Sequence, residues 1–283
     1  MSHFNNLLIK LLRIKLKVIS FFSKKISANY AFKLFCTPLK KKYPKLLCSK
    51  YAADILSFKL GNITIKGYRW NPGSGKKVLL VHGFSSSSLN FQHFVGPLAS
   101  NGFEVFAFDA PAHGRSDGQQ INALVYTEMI QHVVKLFGPI NNFIAHSFGG
   151  LAVMLSLEKL SHNTLTKVVL LAPATETTTA ITDVFKLLDI VDPGVRREFD
   201  GIIYKLSGKA PEWFSIKRAS RNIQAKILWL HDEGDTVTPF SDAINAVTAN
   251  PENIEFIVTK GLGHRRIYKE DWIVRKVISF LSS

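Results

Sequence analysis

Acidic residues are missing from the first 50 positions of this 283-residue chain, which hold twelve lysines or arginines and no aspartate or glutamate. The remaining residues carry the other 24 of the 36 basic side chains against all 21 acidic ones, so the net charge of +15 is an N-terminal property. The body is nearly neutral, and specific nucleic-acid binding is not expected from it. Cysteine is also scarce: Cys36 and Cys48 form neither a C-x-x-C pair nor a metal-ligand spacing. No thiolate metal site or redox pair is implied, and two unpaired thiols in a reducing compartment are the expectation. No apolar run approaches the ~20 residues that a spanning helix needs. Lysines interrupt the N-terminal apolar stretch, and no small-residue cleavage site follows it, which argues against a secretory signal.

Hydrophobic residues make up 46% of the chain and aromatic residues 11%. The length suits one large α/β domain with insertions, or two small domains. Residues 1–50 form a separate basic segment. Within residues 4–22, at 100° per residue, Asn6, Lys10, Arg13 and Lys17 gather on one side, joined by Lys24, with most apolar residues opposite and Lys15 the exception. This predicts a basic amphipathic helix, followed by a lysine-rich connector at 40–45. Such a helix lies on an anionic membrane surface, docks on a partner, or packs on its own protein. The expected location is cytoplasmic, with residues 4–25 as the segment for peripheral contact with the inner membrane surface.

From Ile55 the pattern changes. Ile55–Leu60 and Ile63–Trp70 flank Gly61-Asn62 and predict a hairpin. Val78–Val81 and Phe103–Phe108 read as strands buried on both faces, with Ser85–Ser88 a flexible loop between them. Helical periodicity covers about 122–137, and Val168–Leu171, Ile227–Leu230 and Ile254–Val258 resume strand character before a C-terminal amphipathic helix, Tyr268–Leu281. Alternating helices and buried strands predict a doubly wound, mostly parallel sheet, whose ligands bind beyond the carboxyl ends of the strands. Residues 176–222 break that rhythm. A polar stretch over Thr175–Thr182 is followed by helical segments Val184–Ile190 and Arg196–Leu206, predicting an inserted helical cap over the sheet's active edge.

Chemistry concentrates at Ala145-His146-Ser147-Phe148-Gly149. A short apolar run, a serine between small residues and a helix-forming sequence spell strand, sharp turn and helix, with Ser147 at the apex. A serine before a helix start also serves for capping alone, so the pattern does not decide by itself. Two later strand ends supply partners. Leu230 is followed by His231-Asp232-Glu233-Gly234-Asp235-Thr236-Val237-Thr238-Pro239, and Val258 by Gly261-Leu262-Gly263-His264. Serine, acid and histidine thus follow one another in a fixed chain order.

These motifs, with Val81-His82-Gly83-Phe84 and Phe108-Asp109-Ala-Pro-Ala-His113-Gly114-Arg115-Ser116, resemble the α/β-hydrolase family. The likeness is greatest to its serine esterase branch of lysophospholipase and monoacylglycerol-lipase type, and it covers roughly residues 55–283. The family usually has glycine where this chain has Ala145, so a tight but intact elbow is expected. The resemblance implies Ser147 as nucleophile, His264 as base and Asp235 as its orienting acid, with Asp232 and Glu233 as rival acids. It further implies the backbone amides of Phe84 and Phe148 as the oxyanion hole. Serine at the apex argues against epoxide-hydrolase or dehalogenase chemistry, where the resemblance would demand aspartate. The expected activity is cleavage of carboxylic esters, lipophilic acyl esters above all, on a small-molecule substrate without metal or organic cofactor. Thioesterase, peptidase or C–C hydrolase chemistry would use the same residues, and a non-catalytic binding protein would keep the same fold.

Overall fold

In a computed structural model, describing residues 3–39, 44–46, 50–250 and 252–283, two helices precede the first strand, α1 (His3–Phe22) and α2 (Lys24–Cys36). Ser23 separates them and caps α2, its hydroxyl accepting from the Ile26 amide. Only α1 is anticipated by the sequence. Then come β1 (Ala53–Leu60), β2 (Ile63–Trp70), β3 (Lys76–Val81), α3 (Gln92–Ser100), β4 (Phe103–Phe108), α4 (Ala123–Phe137), β5 (Asn142–His146) and α5 (Phe148–Leu157). After β6 (Lys167–Leu171) stand α6 (Thr177–Leu188) and α7 (Pro193–Ser207). The chain closes with α8 (Ile216–Ala219), β7 (Lys226–Asp232), α9 (Phe240–Ala249), β8 (Ile254–Thr259), α10 (Gly263–Arg266) and α11 (Asp271–Ser282).

All eight strands join one sheet in the order β1-β2-β4-β3-β5-β6-β7-β8. The Gly61-Asn62 turn closes β1 on β2, pairing Leu60 with Ile63 and Ala53 with Trp70. Both pairings of β2 are antiparallel, and every later one is parallel. The predicted doubly wound, mostly parallel sheet is thus present. Its inner strands are continuous apolar runs because helices cover both faces. Val78, Leu80, Val105, Ala107, Val169 and Leu228 pack with Phe94 and Leu98 of α3 and with Ile273, Val277 and Leu281 of α11. Each such side chain taken fully from water contributes about 1.5–3 kcal/mol.

Two compact units make up the chain. Pro38–Thr175 and Ser215–Ser283 contain the sheet, while Met1–Thr37 and Glu176–Phe214 form the second. The N-terminal segment and the insertion, separate in the sequence reading, therefore share a core. Phe199 of α7 lies edge-on to Phe32 and Phe35 of α2 and to Phe185 of α6, with ring centroids 5.5, 5.7 and 5.2 Å away. Lys24 pairs with Asp192, the residue that caps α7, and Arg13 Nε donates to the Leu187 carbonyl at 3.0 Å. The second unit ends at Phe214 instead of running to 222.

Helix α6 starts at Thr177, inside the stretch read as polar and seven residues before the predicted helical segment at Val184. Threonine is a poor helix former, but Ile181, Phe185 and Leu188 repeat at helical spacing and all are buried, so packing overrides propensity. Cys36 is a free thiol whose pKa burial pushes up to about 12, while Cys48 and residues 40–43 of the connector lie outside the described residues. Among the described residues no helix is long and apolar enough to cross a membrane.

Candidate active site

Ser147 sits at the junction of β5 and α5 with φ 55° and ψ −126°, a conformation that a side chain normally avoids. Such a residue costs of order 1–3 kcal/mol and persists only when its surroundings fix it. Here the adjacent strand end does so. The Ser147 amide donates to the Leu171 carbonyl at 3.2 Å, and its own carbonyl accepts from the Ala174 amide at 2.9 Å. Ala145, fully buried in β5, leaves the elbow intact. The tighter constraint lies on the other side, where a Cβ on Gly149 would stand 2.6 Å from the carbonyl oxygens of both Val81 and His82.

The histidine arrives on the short helix α10, which follows β8. His264 Nε2 lies 3.1 Å from Ser147 Oγ, and its Nδ1 lies 2.8 Å from Asp235 Oδ2. Residues 117 positions apart in the chain are thus joined through one imidazole. Asp235 hangs from the turn after β7, where the amides of Val237 and Thr238 donate to its Oδ1 at 2.7 and 3.0 Å. Burial alone would raise this carboxyl. The hydrogen bond and charge of His264, with the two amides, outweigh it and hold the group at about 2. Asp235 therefore carries a full negative charge against the imidazole.

The rival acids point elsewhere. Asp232 accepts from Thr259 Oγ1 at 2.8 Å and from the Leu262 amide at 2.9 Å, fastening the loop that delivers His264. Glu233 pairs with the exposed Lys260 at 3.1 Å. Two further residues bear on the imidazole without having been assigned a role there from sequence. Thr238 Oγ1 donates to Asp235 Oδ2 at 2.8 Å and lies 3.1 Å from His264 Nδ1. His146 Nε2–H donates to the His264 carbonyl at 2.8 Å, and the two rings meet at 4.6 Å with their planes tilted by 45°. Burial, then the neighbouring His264, lowers His146 to about 3, so it stays neutral. The sequence signalled the turn, since an aspartate commonly accepts from a backbone amide two residues on, but not the return of the Thr238 hydroxyl to the carboxylate.

Phe148 is the first residue of α5, a position whose amide has no acceptor within the helix. Phe84 follows Gly83, where a Cβ would stand 2.8 Å from that of Ser147, so the chain passes right beside the serine. The backbone around Phe84 is pinned at several points. His82 Nδ1–H donates to the Gly83 carbonyl at 2.8 Å, Tyr126 Oη–H to the His82 carbonyl at 2.7 Å, and the Ser85 amide to His113 Nε2 at 2.9 Å. Asp109 Oδ1 accepts from the amide and hydroxyl of Ser88 at 2.9 and 2.8 Å. The stretch expected to be a flexible loop, Ser85–Ser88, is thus tied at both ends, by His113 at Ser85 and by Asp109 at Ser88. The rings of Phe84 and Phe148 meet edge to face at 6.1 Å.

A serine held strained at a strand-to-helix elbow, with an imidazole and a carboxylate in line behind it, defines the α/β-hydrolase class, and the chain has that fold. The family described as serine aminopeptidase, S33, matches residues 74–198. A serine hydrolase-like protein of Danio rerio is 34% identical over 91 residues, which are 30% of this chain and 28% of that protein. Bifunctional epoxide hydrolase 2 of Rattus norvegicus is 32% identical over 102 residues, 33% of this chain and 18% of that protein. The chain thus matches less than a third of the length of either relative. A monoacylglycerol lipase of Paleococcus ferrophilus superposes with a TM-score of 0.58 at 21% identity, covering 77% of this chain and 98% of that one. The resemblance read from the motifs is borne out, and the matches support a hydrolase of this fold.

Proposed function

We propose that the chain is a serine hydrolase that cleaves carboxylic esters through an acyl-enzyme on Ser147. The observation that carries this reading is the unbroken hydrogen-bonded line from hydroxyl to imidazole to ionised carboxylate. A serine hydroxyl is almost never ionised near neutral pH, so it needs a base in contact. His264 Nε2 takes the Oγ proton as Oγ bonds to the ester carbonyl carbon, and Asp235 stabilises the imidazolium through Nδ1–H. The carbonyl π electrons move onto oxygen, where the amides of Phe84 and Phe148 receive the charge. Removing one such donor typically costs about 2.7–4 kcal/mol. Collapse breaks the C–O bond, and His264 returns its proton to the departing alcohol. Water, deprotonated by the same nitrogen, then releases the acid and frees Ser147.

The residues that supply the two amides carry phenyl rings in contact with each other, which favours an apolar acyl group over a charged one. Serine at the apex supports an acyl-enzyme over epoxide-opening chemistry, despite the short match to an epoxide hydrolase. The name of the matching family favours a second reading, in which the same residues cleave an amide. There His264 must protonate an amine, a poorer leaving group than an alcohol. A fluorophosphonate probe should label Ser147 in the parent protein and fail on Ser147→Ala. Turnover of nitrophenyl esters of increasing acyl length, set beside aminoacyl anilides, decides between the two readings. Anilide turnover exceeding ester turnover would reject the esterase.

A further inference from the structure

Helix α1 carries more apolar surface than its own protein covers. At 100° per residue its apolar side chains span an arc of about 240°, against the roughly 100° that a core-facing helix needs. One part of that arc faces inward, where α1 packs on α2 and α6 of its own unit. Leu16 is 1% exposed there, with Leu12 and Ile19 partly buried on the same side. The other part is bare. Val18 is 54% exposed, Phe21 83% and Phe22 79%, and Leu7, Leu11 and Ile14 are exposed in line with them.

Leu7, Leu11, Ile14, Val18 and Phe21 fall within about 80° of one another around the helix, on a strip about 20 Å long. Exposed Lys10 and Lys17 border the strip on one side. Lys15, held by Tyr30 through a hydrogen bond of 3.2 Å and a cation–π contact of 4.3 Å, stands on the other. No acidic residue occurs anywhere in the first 50 positions. An apolar band rimmed by ammonium groups, on a segment that has no acidic residue of its own, is complementary to acyl chains beneath an anionic headgroup layer.

We propose that this outer strip of α1 seats the protein on an anionic lipid bilayer, lying in the interface while the inner strip stays packed in its own unit. The inference goes beyond the ester-cleavage reading and does not rest on it. Its test uses the full chain and sucrose-loaded vesicles of phosphatidylcholine, alone or with about one third phosphatidylserine. The protein should sediment with the mixed vesicles and weakly with the neutral ones. Val18→Glu/Phe21→Glu should lower partitioning at least about tenfold, because two carboxylates replace side chains that enter the hydrocarbon boundary. Lys10→Glu/Lys17→Glu should lose about tenfold or more on the mixed vesicles and little on the neutral ones. All four positions are exposed, so far-UV circular dichroism should match the parent, and Ser147→Ala should bind vesicles as the parent does. Equal binding of Val18→Glu/Phe21→Glu and the parent would overturn the proposal. So would a dimer that this variant dissociates in a protein that ignores vesicles, which would make the strip an interface between copies.

Discussion

Mild acid should destabilise the sheet-bearing unit well before its carboxylates are touched. His113 and His146 are both held at about 3 against 6.5 for a free imidazole, chiefly by burial and next by a neighbouring imidazole, His82 for the first and His264 for the second. In the folded protein they remain neutral, whereas in the unfolded chain they take up protons below 6.5. Their contribution is therefore complete above 6.5 and is lost as pH falls from 6.5 toward 3. At about pH 5.5 an unfolded imidazole is roughly nine-tenths protonated, which favours unfolding by about 1.4 kcal/mol for each of the two residues. Moving from about pH 7.5 to about pH 5.5 should thus remove about 3 kcal/mol of unfolding free energy. His82 and His231, also lowered by burial, add to the loss. Asp235 does not confuse the window, since a carboxyl at about 2 gives up its contribution only below 3.8. Urea titrations followed by tryptophan fluorescence, to which Trp70 and Trp229 contribute from buried positions in β2 and β7, measure the difference. His146→Gln should shrink it by about 1.4 kcal/mol. Equal stability at the two pH values would refute the assignment of neutral, buried imidazoles.

Four substitutions probe the site and the second unit. Asp235→Asn should leave the backbone unchanged yet lower kcat by about 10⁴-fold, the scale set by an orienting aspartate in other serine hydrolases, and a loss under tenfold would return attention to Asp232. Thr238→Val removes a donor to Asp235, a hydrogen bond to a charged group worth about 1.5–3 kcal/mol, so kcat should fall about 10- to 100-fold with KM little changed. Unaltered kcat would make that hydroxyl a structural detail. Gly83→Ala drives a methyl to 2.8 Å from the Ser147 Cβ and should abolish fluorophosphonate labelling while the far-UV spectrum persists. Persistent labelling would mean the oxyanion loop can retreat. Leu16→Ala removes the buried side chain on the inner face of α1 and should cost about 2–5 kcal/mol, read as earlier melting of the helical unit. A melting curve matching the parent's would show that α1 is not anchored through that face.

Whatever is written in local pattern was legible before any coordinates. Gly61-Asn62 between two alternating runs is enough for a hairpin, and uninterrupted apolar runs at 78–81 and 103–108 are enough for strands covered on both sides. Ala145-His146-Ser147-Phe148-Gly149 specifies its elbow because a turn that sharp excludes bulk from its flanks. Helix α3 was hidden for the converse reason: Gly96 and Pro97 lie inside it, and what holds it is Phe94 and Leu98 against a sheet face no local pattern reveals. The family resemblance already named Asp235 over Asp232, three positions away, but which carboxylate the imidazole meets is a matter of folding, and the contributions of Thr238 and His146 depend on the same meeting. For α1 the sequence reports a broad apolar arc but not its division, because burial is a property of what packs alongside. Only folding assigns Leu16 to the interior, Phe21 to the surface, and the N-terminal helices to the same unit as an insertion more than a hundred residues further on.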